Sequence, residues 1–85
     1  MFIHIGDNNT VLAKDIITIL DRDTVEDSET TKSFIEKFIN EHLVLNSNTK
    51  DVKSYVIVET NDKNKKYGLY TSNISSQALY NRMNK

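Results

Sequence analysis

The spacing of the apolar residues changes once along the chain, and this change limits the folds that the chain can adopt. Before residue 30 the apolar residues form short runs rich in β-branched side chains, such as IITIL at residues 16–20. From residue 30 to residue 42 the spacing becomes i, i+1, i+4, i+5, and the apolar side chains are Phe34, Ile35, Phe38 and Ile39. Short β-branched runs are typical of strands, whereas this spacing puts one apolar stripe on a helix. The sequence therefore predicts strands on both sides of one amphipathic helix.

Five short segments have the composition of β-strands, at residues 2–5, 10–13, 16–20, 54–60 and 67–71. The segment at 54–60 is apolar on both faces at its centre, which is typical of a central strand. Turn residues at 6–9 and a polar loop at 61–66 indicate two hairpins, and residues 43–45 are expected to add a strand stub. The sequence predicts an α+β fold in which a small antiparallel sheet packs against the amphipathic helix and a short C-terminal helix.

Polar residues mark the ends of the two predicted helices. Asp27 or Ser28 is expected to cap the amphipathic helix, and Ser75 or Ser76 the C-terminal one, because their side chains can accept a hydrogen bond from the first turn. Residues 21–29 contain several acidic side chains and no periodic apolar ones. We therefore expect an acidic loop at residues 21–29.

The turns of this chain have to be made largely without glycine and proline. Its 85 residues include two glycines, no proline and no cysteine. Asn and Asp suit turns because their short side chains bond to nearby backbone and tolerate left-handed geometry. The absence of cysteine excludes disulfides and thiolate metal sites and fits a reducing compartment. A chain this short often completes its core by self-association, so we expect a homo-oligomer.

The sequence carries no segment that would direct it to a membrane. No apolar run approaches the ~20 residues that cross a bilayer. The N-terminus also lacks the basic region and the cleavage site of a secretory signal. We therefore expect a cytoplasmic protein with no membrane partner.

No set of side chains in the sequence forms a catalytic or metal-binding motif. Asp21 and Asp23 resemble the start of a calcium loop, but Val25 and Glu26 stand where that loop needs an oxygen ligand and a glycine. The two histidines have no second ligand at helical or hairpin spacing, and helix capping explains the serine pair at 75–76. We therefore predict no catalytic residue, no metal, no cofactor and no enzymatic activity.

The charge of the chain is divided unevenly between its halves. Residues 1–45 carry nine acidic and four basic residues, a net charge of −5, whereas residues 46–85 carry three acidic and seven basic residues, a net charge of +4. Lys50 and Lys53 precede the central strand and three lysines at 63–66 follow it, so these cations are expected at opposite ends of the strand. Such a division indicates a basic face for phosphate, complementary faces for self-association, or an accidental split of surface charge.

Four short motifs stand along the chain in one order and spacing. They are His4-Ile5-Gly6-Asp7, Lys14-Asp15-Ile16-Ile17-x-Ile19-Leu20-Asp21, Lys53-Ser54-x-Val56-Ile57-Val58 and Tyr70-Thr71-Ser72-x-Ile74-Ser75-Ser76-x-x-Leu79. Together they resemble the RemA/RemB family of extracellular-matrix regulators, and the RemB branch most closely. The resemblance covers nearly the whole chain, which suggests one RemA/RemB-like domain over residues 1–85. It depends on the series of four, because no motif is specific alone.

The resemblance implies a cytoplasmic DNA-binding regulator of biofilm-matrix genes whose small protomers assemble into a closed ring. RemA-type members present arginines from the corner after the first hairpin and from the turn before the central strand. Carried over to this chain, the resemblance implies Lys14, Lys50 and Lys53 as nucleic-acid-binding residues that contact phosphates. Acidic residues stand beside these lysines where the RemA-type pattern is rich in arginine, and lysine lacks the planar fork of arginine.

A ring would repeat a few phosphate contacts many times, which raises affinity without a new type of contact. Opposed charge on the two halves of the chain would help a head-to-tail interface to close the ring. The first three strands and the apolar face from Phe34 to Ile39 are expected to share the core and the subunit contact. The sequence leaves open whether the hairpin lysines add to a DNA-binding rim or keep the hairpin soluble; they are Lys63, Lys65 and Lys66.

A function from another class also fits the sequence. The same fold could serve as a protein-interaction module that does not bind DNA. Such a module would meet its partner through the acidic segment 21–29 or through the tyrosines Tyr67, Tyr70 and Tyr80. DNA binding that falls steeply with salt is expected of the first function only.

Overall fold

The computed structural model of the protein describes residues 1–46 and 50–84. The strands are β1 Phe2–Gly6, β2 Asn9–Leu12, β3 Ile16–Asp21, β4 Ser54–Asp62 and β5 Lys65–Ser72. The α-helices are α1 Arg22–Asp27, α2 Glu29–Asn40 and α3 Ser76–Met83, and a 3₁₀ turn, Ala13–Asp15, joins β2 to β3. Residues 47–49, part of the turn expected before the central strand, and the terminal Lys85 lie outside the described residues.

The strands form two antiparallel sheets where we expected one. β1 and β2 pair as a hairpin, whereas β4 lies between β3 and β5 in the other sheet. The division follows from the 3₁₀ turn, which carries the chain out of the first sheet before β3 begins. The α+β class and the antiparallel pairing are confirmed, and so is the central position of the strand predicted at 54–60.

The β3–β4–β5 sheet is the middle of three layers. On one face it packs against the β1–β2 hairpin and α3, and the buried apolar side chains are Ile3, Ile5, Val11, Ile19, Val56, Val58 and Leu79. On the other face it packs against α1 and α2, and they are Val25, Ile35, Phe38, Ile57 and Leu69. Alternate side chains of a strand point to opposite faces, so β4 contributes to both clusters. Each such burial stabilises the fold by about 1.5–3 kcal/mol relative to exposure.

The prediction of a loop at residues 21–29 was wrong, because α1 occupies most of that segment. Asp21 is the N-cap of α1, and its carboxylate accepts a hydrogen bond from the Asp23 N–H at 3.0 Å. Val25 is the buried residue of α1. One buried side chain cannot produce a periodic pattern, and so short a helix depends on packing against its neighbours rather than on its own sequence.

Both ends of α2 are closed by local hydrogen bonds. Ser28, one of the two predicted caps, accepts from the Thr31 N–H at 3.3 Å. At the other end the Leu43 N–H donates to the Phe38 C=O at 2.9 Å, and His42 adopts a left-handed φ of 59°. This is the pattern of a Schellman motif. It ends α2 before His42, which was predicted as the last helical residue, and it turns the chain toward β5.

The segment that follows α2 runs along the outer edge of β5. The Leu69 N–H donates to the Leu43 C=O at 2.9 Å, and the Leu45 N–H donates to the Leu69 C=O at 2.8 Å. The side-chain amide of Asn46 then pairs with the backbone N–H and C=O of Thr71, at 3.0 and 2.8 Å. This edge segment, from Leu43 to Asn46, contains the strand stub predicted at residues 43–45, and it covers β5 at two successive outward-facing positions.

Two buried serines fasten the loop before α3 to the sheet. Ser54 Oγ donates to the Ile74 C=O at 2.7 Å, and Ser72 Oγ donates to the Ile5 C=O at 2.6 Å. Ser72 Oγ also accepts from the Ile74 N–H at 3.0 Å. Because each hydroxyl is buried and bonded, the start of β4 and the end of β5 are tied firmly to β1 and α3.

The β1–β2 turn shows how the chain makes turns without many glycines. Asp7 and Asn8 have φ values of 48° and 63°, both in the left-handed region, and Gly6 before them has φ of 105°. Two successive left-handed residues make the turn that matches the twist of paired strands. Asp and Asn tolerate this geometry, as the sequence predicts, whereas the φ of Gly6 is one that side-chain-bearing residues rarely adopt.

Candidate nucleic-acid interface

Lys53 lies where the chain enters β4, at one end of the three-stranded sheet. Its N–H donates to the Ser72 C=O at 2.8 Å, and its C=O accepts from the Arg22 N–H at 3.0 Å. The backbone is therefore held on both sides while the side chain is exposed. We call this end of the sheet, with Arg22, Lys50 and Lys53, the entry end.

Lys50 belongs to the same end of the molecule as Lys53. It is exposed and stands three residues earlier, so at most ~10 Å of chain separates the two. Asp51 between them has a left-handed φ of 54°, which turns the chain toward β4. Two of the three predicted nucleic-acid-binding lysines are therefore neighbours.

Arg22 is a cation at the entry end that sequence reasoning did not select. As the first residue of α1 it is exposed, and its Nη2 lies 3.2 Å from Asp23 Oδ1. The hydrogen bond to Asp23 is the largest cause of a raised pKa of Arg22, and the charges of Asp23 and Glu26 add to it. Predicting residues 21–29 as a loop concealed this position. The capping residue Asp21 was the signal that could have revealed it.

Carboxylates match the cations of the entry end in number. Asp21, Arg22, Asp23, Lys53 and Ser75 line a shallow hollow of about 230 Å³. A second hollow, of about 440 Å³, is lined by Arg22, Asp51, Lys53 and Asn73. Arg22 and Lys53 thus line these hollows together with three aspartates. Within one protomer, a phosphate at this end would meet attraction and repulsion of similar size.

The caps of two helices also meet at the first of these hollows. Asp21 caps α1, and Ser75, the predicted alternative that the structure selects, caps α3 by accepting from the Ala78 N–H at 3.2 Å. Helix N-termini carry a partial positive charge that favours anions. At α1, Asp21 already occupies that position, so the α3 terminus adds more to the positive character of the entry end.

Lys14 lies at the other end of the sheet. In the antiparallel β3–β4 ladder Asp21 pairs with Ser54 and Ile16 pairs with Val58. At about 3.3 Å per residue, these two pairs are ~13 Å apart along β4. Lys14 precedes Ile16, in the 3₁₀ turn, and is exposed. The structure therefore does not bring Lys14 to Lys53 within one protomer.

The hairpin lysines also lie away from the entry end. β4 runs to Asp62 and β5 begins at Lys65, so the turn is shorter than the predicted loop at 61–66. The Asp62 carboxylate accepts from the Asn64 N–H at 2.8 Å, and Thr60 Oγ1 bonds to the Lys65 C=O. We call this end, with Lys63, Lys65 and Lys66, the turn end. The two ends hold separate basic groups, as strand pairing predicted.

The described residues also bear on metal binding and on membrane insertion. Within residues 1–46 and 50–84 no three His, Asp or Glu side chains are grouped so that they could hold a metal ion. His4 is in β1, where its C=O accepts from Arg82 Nη1 at 2.6 Å, whereas His42 follows α2. In the same ranges no helix has the length and apolar character to span a bilayer.

Comparison with known proteins gives one family. The family described as RemA-like, extracellular matrix regulatory protein A-like, matches residues 2–83. No curated protein matches the chain. The family match spans every strand and helix described above, and with them both ends of the central sheet.

Proposed function

The chain belongs to the RemA-like family of extracellular matrix regulators, and on that premise we propose that it is a non-enzymatic, cytoplasmic DNA-binding regulator that acts as a homo-oligomer. Within the family we propose that it lies closest to the RemB branch. Lys50 and Lys53 contact phosphates from the entry end. Lys14 supplies a separate contact from the opposite end of the sheet.

The geometry of Lys53 carries this proposal. Its backbone is bonded at once to β5 and to the start of α1, while its amine is exposed beside Arg22 and the N-terminus of α3. A rigid backbone under an exposed amine lowers the entropy lost when the amine meets a fixed row of phosphates. Such contacts position a protein on DNA without reading its sequence.

Assembly is part of the proposal because the cations of one protomer are too few and too closely matched by carboxylates. Each neutralised phosphate contributes roughly one unit of salt dependence, so two or three contacts bind weakly at physiological salt. Repetition of the entry end on successive protomers makes these contacts multivalent. Lys14 contacts the same DNA if the oligomer brings the Lys14 end of one protomer beside the entry end of its neighbour.

Exposed apolar side chains on β1 and β3 supply a surface for self-association. Phe2 is 71 % exposed and Ile17 is 52 % exposed. Phe2 also lines a groove of about 350 Å³ whose other apolar walls include Leu12, Leu45 and Tyr70. Exposed apolar clusters of this kind mark interaction sites on small proteins. The apolar face of α2 was the other part of the expected subunit contact. Its residues Ile35 and Phe38 are buried in the core, so they add little to that contact.

An electrophoretic mobility assay over a salt series tests the proposal. We expect double-stranded DNA to be shifted at low salt, with an affinity that falls steeply as salt rises. The variant Lys14→Glu/Lys50→Glu/Lys53→Glu is expected to lose the shift. The matched control is Lys63→Glu/Lys65→Glu/Lys66→Glu, which changes the net charge equally at the turn end and is expected to retain most of the binding.

Two results would contradict the proposal. Equal loss of binding in both triple variants would show that net charge alone attracts DNA. Monomers at tens of micromolar protein in sedimentation velocity would remove the multivalency on which binding depends.

The second candidate function, a protein-interaction module that does not bind DNA, is favoured by one observation. Three aspartates line the hollows of the entry end beside Arg22 and Lys53, and Arg22 is already paired with Asp23. An oligomer that shifts no DNA at any salt concentration would select this function. The acidic face of α1, exposed at Glu26 and Asp27, is then the surface that a basic partner meets.

A further inference from the structure

A cleft opens at the turn end between the C-terminal part of α2 and the outer edge of β5. Its volume is about 370 Å³, and its apolar walls are Phe34, Phe38, Leu43 and Tyr67. The rings of Phe34 and Phe38 meet edge to face with centroids 5.2 Å apart. Phe34 remains 46 % exposed and Tyr67 42 % exposed. Two half-exposed aromatic side chains beside a cavity form an apolar patch that is unfavourable in water, and such patches mark interaction sites.

The edge of β5 is open at this cleft. The backbone groups of Leu69 and Thr71 point outward and are satisfied by the edge segment. Because these directions alternate along a strand, the N–H and C=O of Tyr67 point outward as well. Among the described residues no backbone group of another segment bonds to them. The edge segment thus leaves one outward-facing position of β5 uncovered, beside the apolar walls of the cleft.

The rim of the cleft is basic. Lys37, Lys65 and Lys66 line it, with Glu41 as the opposing charge. The Lys66 amine lies 5.5 Å from the centroid of the Tyr67 ring, close enough for a cation–π contact. This contact covers part of a ring face on which a nucleic-acid base would need to stack, so the cleft is poorly suited to single-stranded nucleic acid.

We propose that this cleft binds an extended acidic peptide segment of a partner protein, which adds to the edge of β5 at Tyr67. The peptide backbone bonds to the N–H and C=O of Tyr67. One apolar side chain of the peptide enters between Phe34 and Leu43, and its acidic side chains face Lys37, Lys65 and Lys66. Addition of a strand to an open edge, with a pocket for one side chain, is a recurring mode of peptide recognition. The site is distinct from the entry end and does not depend on DNA binding.

Fluorescence polarisation with a designed probe tests the proposal. The probe is a short labelled peptide in which acidic residues alternate with valine around a central phenylalanine. We expect the full chain to bind it more weakly as salt rises. Two control probes are the same peptide with lysine in place of its acidic residues, and the acidic peptide N-methylated at alternate positions. We expect both to bind at least about tenfold more weakly, from like charge and from lost backbone bonds.

Variants of the protein separate the charge from the apolar contact. Lys65→Glu/Lys66→Glu is expected to weaken probe binding about tenfold, and Phe34→Ala about fivefold or more. Lys63→Glu is the matched control on the same hairpin, because Lys63 does not line the cleft, and its binding is expected to change less than about twofold. Thermal unfolding of each variant checks that the fold is retained.

Amide hydrogen exchange locates the bound probe. We expect the Tyr67 amide to exchange more slowly when the acidic probe is bound, while the entry end is unchanged. Equal binding of acidic and basic probes, protection away from β5, or no binding would overturn the proposal. So would Lys65→Glu/Lys66→Glu dissociating the oligomer without affecting the probe, since the cleft would then be a contact between copies. Loss of DNA binding in Lys14→Glu/Lys50→Glu/Lys53→Glu, with probe binding intact, tests the proposed function separately.

Discussion

The two ends of β4 both carry lysines, but their surroundings differ. At the entry end Ser54 and Ser72 are buried and bonded, and Arg22 and Lys53 share their hollows with three aspartates. At the turn end an aromatic cleft with an open strand edge is lined by three lysines and one glutamate; the lysines are Lys37, Lys65 and Lys66. The comparison shows that a count of lysines does not describe a binding surface. What each cation faces decides which anion it can bind.

The largest effect is expected where the entry end is tied to the core. Ser72→Ala removes a hydroxyl that bonds the Ile5 C=O and the Ile74 N–H. Buried groups left without a partner cost about 1–3 kcal/mol each, and we expect the free energy of unfolding to fall by about 2 kcal/mol. Urea unfolding at fixed protein concentration measures it. Thr60→Ala at the more solvated turn end is the control, with an expected loss below about 1 kcal/mol. Equal losses of stability in Ser72→Ala and Thr60→Ala would contradict the expected difference between the two ends.

A smaller effect is expected from extending the open edge of β5. A Cβ on Gly68 would overlap Leu45 Cδ1, so Gly68→Ala displaces the edge segment. We expect a loss of about 1–2 kcal/mol, and faster hydrogen exchange at the amides of Leu45 and Leu69. The double variant Gly68→Ala/Leu45→Ala removes the overlap and is expected to recover part of the loss. No recovery would mean that the strain lies elsewhere.

Single charge reversals compare the ends in DNA binding. Lys53→Glu and Lys14→Glu are each expected to lower the salt dependence of binding by roughly one unit, because each lysine contacts one phosphate in the assembled protein. A mobility assay at several salt concentrations gives the slopes. An unchanged slope for Lys14→Glu would restrict the DNA-binding surface to the entry end. Lys32→Glu, an exposed position on α2, is the control.

The smallest effect concerns Tyr55, which lies on β4 near α1. Burial raises the pKa of Tyr55 above its ordinary value of 10.0, and the charge of Glu26 adds to the shift. Folding therefore favours the neutral form of Tyr55. The resulting contribution to the free energy of unfolding is fully present below pH ~10, and it is lost as pH rises through the pKa of Tyr55 in the folded protein. Urea unfolding between pH 8 and 11 is expected to show a shallower alkaline decline for Tyr55→Phe. An identical decline in Tyr55→Phe and the unchanged protein would contradict this role of Tyr55.

Local features of the sequence predicted much of the fold. The stripe at 34–39 predicted α2, and the doubly apolar run at 54–60 predicted the central strand, because the spacing of side chains within one element is local information. Ser28 and Ser75 were each one of two predicted caps for the same reason, and the structure selects them. The helix α1 was not predicted, since its stability comes from packing against α2 rather than from an apolar pattern of its own.

The candidate sites show the same limit. Pairing of β4 with β5 was enough to predict that Lys53 and the hairpin lysines are at opposite ends. Placing Arg22 beside Lys53 needed the β3–β4 register and the start of α1. The cleft at Tyr67 was not foreseen, because three separate segments build it: α2, the edge segment and β5.

By itself the sequence determined the strands, α2, α3 and the division of charge between the halves of the chain, because each of these depends on residues within a few positions of one another. Only the tertiary structure decided which charges share an end of the sheet and where β5 stays open. Those outcomes depend on strand register and on the path of the chain after α2, which bring together residues far apart in the sequence.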